Sequence, residues 1–189
     1  MSRAGRKGKV EWLPNVKHNP SENCDDRPSA CEIELVVLHA ISLPPGQFGG
    51  RYIERFFTNS LDCDAHPYFD TLRGVKVCPH FFITRAGLVT QFVGLSKRAW
   101  HAGKSKWRGK DTCNDYSIGI ELEGCDRLPF ESAQYDSLVR VLGEIIALYP
   151  TIQNDAIVGH SDVAPGRKTD PGPLFDWDLL SRRMLESRS

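Results

Sequence analysis

The sequence predicts an α/β protein, a single domain with a central mixed β-sheet flanked by helices and with long loops that carry the functional residues. Three observations predict it. Residues 33–41 (IELVVLHAI) form a short, β-branched-rich and almost wholly apolar run, as suits a strand covered on both faces. Residues 116–124 (YSIGIELEG) alternate, with Ile118, Ile120 and Leu122 on one side and Gly119, Glu121 and Glu123 on the other. Residues 131–149 carry Tyr135, Leu138, Val139, Leu142, Ile145, Ile146 and Tyr149 at helical spacing, one apolar stripe. A chain of 189 residues is long enough to bury one core unaided.

In chain order, residues 1–9 read as a flexible basic tail and residues 10–189 as the domain. Prolines 14, 20 and 28 make residues 10–29 an extended or looped lead-in. The 33–41 strand ends near His39, and open α/β sheets place ligands beyond the carboxyl ends of their strands. Residues 42–50 (SLPPGQFGG) are a loop by every breaker signal, and 51–59 a short amphipathic helix. Residues 77–84 and 88–93, separated by Arg85-Ala86-Gly87, read as a β-hairpin. Residues 95–115 are polar, basic and glycine-containing: a long loop, of the kind that usually has a task. A brief strand over 156–158 leads to His160, and 175–185 form a terminal helix packed through Trp177, Leu180 and Met184.

Twenty-four basic and 24 acidic residues cancel, so no overall field draws the chain to nucleic acid or to an anionic membrane. The basic N-terminus has no apolar segment behind it, which argues against a signal peptide and for the cytoplasm. Nothing approaches the ~20 apolar residues of a bilayer span. The six cysteines contain no C-x-x-C pair and are expected to be reduced thiols.

The chemistry concentrates in residues 158–173 (VGHSDVAPGRKTDPGP). There His160 and Asp170 offer an imidazole and a carboxylate to a divalent metal, with Lys168 between them. Pro165 and Gly166 break any regular element, so the two ends can curl back on one point. Taken alone, the stretch reads as readily as a core histidine followed by a surface turn. His39 and a strand glutamate, Glu121 or Glu123, add to it from other strand ends. Two imidazoles and one carboxylate leave a fourth zinc position open to water, as catalytic sites do, and zinc makes that water acidic near pH 7. A glutamate as general base and Lys168 as oxyanion stabiliser would complete an amide hydrolase.

The motifs VVLHAISLPPGQFGG, AHPYFD, KRAWHAG, CNDYSIGIELEG and VGHSDVAPGRKTDPGPLFDW occur in order over most of the chain. Together they resemble the AmpD-type N-acetylmuramoyl-L-alanine amidases of the zinc amidase and peptidoglycan recognition protein superfamily. The resemblance implies Zn2+ held by His39, His160 and Asp170, with Glu121, rather than Glu123, as proton acceptor and Lys168 as transition-state stabiliser. It implies cleavage of the amide between N-acetylmuramic acid, usually in its 1,6-anhydro form, and the L-alanine of the stem peptide. Cytoplasmic members recycle such anhydro-muropeptides, which in some bacteria also sets the signal for β-lactamase induction. One departure is Ala40, which follows His39 where the family pattern carries asparagine. It leaves the ligands intact but offers no amide for a substrate hydrogen bond there.

Trp100 and His101 are expected to line the sugar pocket. Lys104, Lys106, Arg108 and Lys110, around Trp107, form a basic cluster that could steer the peptide carboxylates or simply be a solvated loop. His80 reads as a core or outer-sphere histidine, His66 as a loop cap and His18 as exposed and inert. The expected partner is the anhydro-muropeptide, bound by a monomer, with no nucleic acid and no membrane. Two other functions fit the same motifs: a non-catalytic muropeptide-binding module, and an amidase acting on intact wall.

Overall fold

The computed structural model describes residues 10–187, so the tail expected over residues 1–9 lies outside the described residues. The lead-in contributes two short strands, β1 (Lys17–His18) and β2 (Cys24–Asp26). The apolar run forms β3 (Leu35–Ile41), in which Leu35 to Leu38 have no exposed surface. Next come α1 (Tyr52–Phe57) and the hairpin of β4 (Phe81–Ile83) with β5 (Val89–Gln91). The loop expected over 95–115 holds β6 (Lys97–Ala99), β7 (Lys106–Trp107) and β8 (Lys110–Asp111). It ends in a 3-10 turn at Cys113–Asp115. The alternating segment is β9 (Ser117–Glu123), and the long amphipathic stretch is α2 (Ser132–Leu148). β10 (Ile157–Gly159) runs straight into a single helical turn, α3 (His160–Val163), and α4 (Trp177–Glu186) closes the chain.

Six strands form one mixed sheet in the order β1-β5-β4-β9-β3-β10. The β4–β5 hairpin is antiparallel and the other pairings are parallel. β3 and β9, paired along seven residues each, are the centre of the sheet, which is why the segment predicted to alternate is buried on both faces. The expected α/β domain, a central mixed sheet with flanking helices, is what the chain forms.

The two longer helices, α2 and α4, start where side chains satisfy free N–H groups. At α2 the Gln134 side chain accepts from the Glu131 N–H (3.0 Å) and donates to the carbonyls of Glu123 (3.1 Å) and Ile83 (3.4 Å), tying the helix to β9 and β4. Asp176 caps α4 by accepting from the Leu179 N–H (2.8 Å), so the helix begins two residues later than expected while Phe175 stays in the core. Tyr135, Leu138, Val139, Leu142 and Ile145 of α2 share one core with Leu180 and Met184 of α4. Each fully buried side chain of this kind contributes about 1.5–3 kcal/mol. A second, aromatic core joins Phe56 and Phe57 of α1 to Phe69, Phe82 and Phe92. The six cysteines are free thiols.

Candidate active site

β3, β9 and β10 run parallel, so their carboxyl ends lie along one edge of the sheet. Register sets His39 directly opposite Glu121. On the other side of β3, Gly159 pairs with Leu38, which brings His160, the next residue, level with His39. The chain then folds back: the Arg167 and Lys168 N–H groups both donate to the Ala164 carbonyl (3.1 Å each), and Ser161 N–H donates to the Asp170 carbonyl (3.0 Å). Gly159 is what lets the strands and this loop touch, because a Cβ there would lie 2.9 Å from Cδ of Pro171.

Three side-chain atoms from these elements meet. His39 Nδ1 lies 2.9 Å from His160 Nδ1 and 3.1 Å from Asp170 Oδ2, and His160 Nδ1 lies 3.0 Å from the same oxygen. Tetrahedral zinc with bonds of about 2.0–2.1 Å keeps neighbouring donors about 3.3 Å apart, so the cluster needs to open only slightly to hold the ion. His160 Nε2 lies 3.0 Å from the Ala102 carbonyl, an acceptor only. A proton on Nε2 meets that carbonyl and leaves a lone pair on Nδ1. Lone pairs on three atoms in mutual contact repel unless a cation or proton sits among them, and this donor set of two imidazoles and a carboxylate suits a divalent metal.

Burial pushes His39 down to about 4, against the opposing pull of Asp170, so its ring is neutral at physiological pH. Burial also pushes the Asp170 carboxyl up, but the hydrogen bonds and charges of His160 and His39 outweigh it and hold the group below the usual carboxylate range. Glu121 behaves oppositely. Burial, and next the charge of Asp170, raise it well above its ordinary value, with Lys168 pulling the other way. Its Oε2 is shut off from solvent and has no hydrogen-bond partner. Glu121, Lys168, His101 and the three clustered side chains line one cavity of about 270 Å³, walled on its apolar side by Ile41, Phe56, Phe57 and Val77. Lys168 is itself exposed, at the rim.

Other expected residues are distributed differently. Glu123, on the same face of β9 as Glu121, accepts from the backbone N–H groups of Gly49 (2.6 Å) and Arg85 (3.0 Å) and holds loops together. His101 reaches the cavity, yet its Nδ1 lies against His39 Nε2 (2.9 Å). Trp100 is not part of that cavity's lining; its backbone N–H donates to the Asn23 carbonyl (3.2 Å) and its carbonyl accepts from the Cys78 N–H (2.9 Å). The steering role considered for the basic cluster meets a different arrangement: Arg108 pairs with Asp155 (2.6 Å), Lys110 with Glu34 (2.6 Å) and Lys106 with Asp111 (3.4 Å), none of them at the cavity. His80 is buried and accepts from the Gly119 N–H (3.0 Å), while His66 caps a 3-10 turn by accepting from the Tyr68 N–H (3.1 Å). His18 is exposed but not idle, since its Nε2 donates to the Leu13 carbonyl (2.8 Å). Ala40 lines the cavity with a methyl group. Sequence reasoning missed Asn114, in the turn before β9, and Ser117, the first residue of β9, which contact His101; the CNDYS motif that contains them was the available signal.

A sequence profile described as N-acetylmuramoyl-L-alanine amidase matches residues 29–173. The 1,6-anhydro-N-acetylmuramyl-L-alanine amidase AmpD of Enterobacter cloacae is 51% identical over 176 residues, spanning 93% of this chain and 94% of that protein. The crystal structure of a selenomethionine AmpD derivative superposes with a TM-score of 0.88 at 47% identity, covering 90% of this chain and 95% of the other. AmiD of Escherichia coli, solved with the substrate anhydro-N-acetylmuramic acid-L-Ala-D-gamma-Glu-L-Lys, matches with a TM-score of 0.60 at 29% identity, over 86% of this chain and 66% of its own.

Proposed function

The chain belongs to the N-acetylmuramoyl-L-alanine amidase family, and from that premise we propose that it is a zinc-dependent hydrolase of anhydro-muropeptides, cutting the amide between 1,6-anhydro-N-acetylmuramic acid and L-alanine during recycling of wall fragments in the cytoplasm. The observation that carries this reading is the meeting of His39, His160 and Asp170 beside the unpartnered oxygen of Glu121. Among the described residues no helix is long and apolar enough to cross a membrane.

His39, His160 and Asp170 would hold the zinc. Bound there, it supplies Lewis acidity, making water more acidic and the amide carbonyl more electrophilic. Glu121 takes the proton from the attacking water as the new C–O bond forms at the lactyl carbonyl. The same carboxyl then delivers that proton to the alanine nitrogen as the C–N bond breaks, leaving a carboxylate on the muramyl product and a free amine on the peptide. Lys168 brings its ammonium from the rim toward the negative charge that develops on the carbonyl oxygen. The apolar wall of Phe56, Phe57 and Val77 limits water around the reacting bond.

Incubating the protein with soluble anhydro-muropeptide should release free stem peptide, with about one zinc bound per chain, activity lost on chelation and restored by zinc. Full activity in metal-free protein, or no release by zinc-loaded protein, overturns the proposal. Faster turnover on purified sacculi than on the soluble substrate would instead favour action on intact wall. Lys168→Ala should keep its zinc and lose kcat by about 10²–10³-fold, since the charge is needed mainly when the oxyanion forms; unchanged turnover removes Lys168 from the mechanism.

A further inference from the structure

We infer that the dipeptide His101–Ala102 is a single positioning element that holds both imidazole ligands in the tautomer presenting Nδ1 to the metal, and that Asn114 seats it. The inference rests on the metal site proposed above but concerns a different set of residues. Its two halves reach the two rings by different means. The Ala102 carbonyl accepts from His160 Nε2 (3.0 Å). The His101 side chain places Nδ1 2.9 Å from His39 Nε2.

His39 Nε2 can donate to that nitrogen only if His101 carries its own proton on Nε2, where Ser117 Oγ lies 3.2 Å away and can accept it. Polarity then runs one way, from His39 through His101 to Ser117, and leaves Nδ1 of His39 bare. His39 has 1% of its surface exposed, so in the intact protein His101, and not bulk water, is what meets its Nε2. Outer partners of this kind fix ring orientation and ligand basicity, and their loss typically lowers metal affinity about 10–100-fold.

The dipeptide is itself clamped. Asn114 Oδ1 accepts from both of its backbone N–H groups, His101 (3.2 Å) and Ala102 (2.8 Å). Arg167 Nη2 donates to the carbonyls of Ala102 (2.8 Å) and Lys104 (2.6 Å), so the segment is tied to the loop that follows α3. From beneath, the His101 ring lies against bare backbone of β9. A Cβ on Gly119 would sit 2.4 Å from Cγ of that ring. The glycine in SIGIE and the histidine in RAWHAG are thus two parts of one fitting, which explains a glycine in the middle of the central strand, where it packs nothing of its own.

The test measures zinc affinity by chelator competition in the full chain, with ring tautomers read by long-range 1H–15N NMR. His101→Ala should weaken zinc about 10–100-fold and leave His39 a mixture of tautomers. His101→Asn keeps an acceptor at the position of Nδ1 and should recover most of the affinity. Asn114→Ala, which touches neither ring, should weaken zinc in the same direction. Native affinity in His101→Ala and Asn114→Ala, with KM alone raised, would make His101 a substrate contact and overturn the inference. Equal affinity loss in His101→Ala and His101→Asn, with a lowered melting temperature, would mean packing only and overturn it too. If the parent protein binds no zinc, the proposed metal site fails first, an outcome that these comparisons identify separately.

Discussion

Glu121→Gln is expected to lower kcat by about 10²–10⁴-fold while zinc affinity and KM stay near those of the parent, because the amide fills the same space but cannot accept or return a proton. The substitution should also raise stability. In the folded protein burial and Asp170 hold the Glu121 proton more tightly than in the unfolded chain, despite Lys168. The native state therefore keeps a proton that the unfolded state releases, and stability falls as pH rises past the ordinary glutamate value of 4.5. Glutamine has no such penalty. After chelation, Glu121→Gln should melt higher than the parent at pH 7, with the gap closing toward pH 4. Retained turnover would remove Glu121 from the chemistry, and a lower melting temperature at pH 7 would contradict the burial argument.

Asp170→Ala is the second large effect. The carboxylate is the only charged donor in the cluster and supports both rings, at 3.0 Å and 3.1 Å. Zinc affinity should fall by more than the 10–100-fold typical of losing an outer partner. The purified variant should be zinc-poor, with activity lost in proportion and recovered in part at high zinc. Chelator competition and metal analysis measure this directly. Full occupancy at parental affinity would exclude Asp170 as a ligand.

Much of this was legible from residue pattern, for identifiable reasons. β3, β9 and α2 are long enough for their period to appear, and they make the sheet centre and its main cover. Strand pieces of two or three residues such as β7 and β8 have no period to read, so the 95–115 segment passed for a plain loop. The turn α3 was hidden because Pro165 and Gly166 follow it so closely. At the site, strand ends pointed to His39 and His160, but alternation put Glu121 and Glu123 on one face and could not separate them. The family resemblance picks Glu121, and the loops that engage Glu123 supply the physical difference. The contact of His101 with His39 joins residues 62 positions apart and needed the fold itself.

The pairing of His39 with Glu121 across β3 and β9 has a consequence for how such a molecule can diversify. Adjacent strands are held about 4.8 Å apart by main-chain hydrogen bonding. The gap between the backbones that carry His39 and Glu121 is thereby a fixed pitch of the scaffold, indifferent to the fate of the surrounding loops. Loops such as 42–50 can be lengthened or shortened, and the spacing of these two side chains travels with the sheet unchanged.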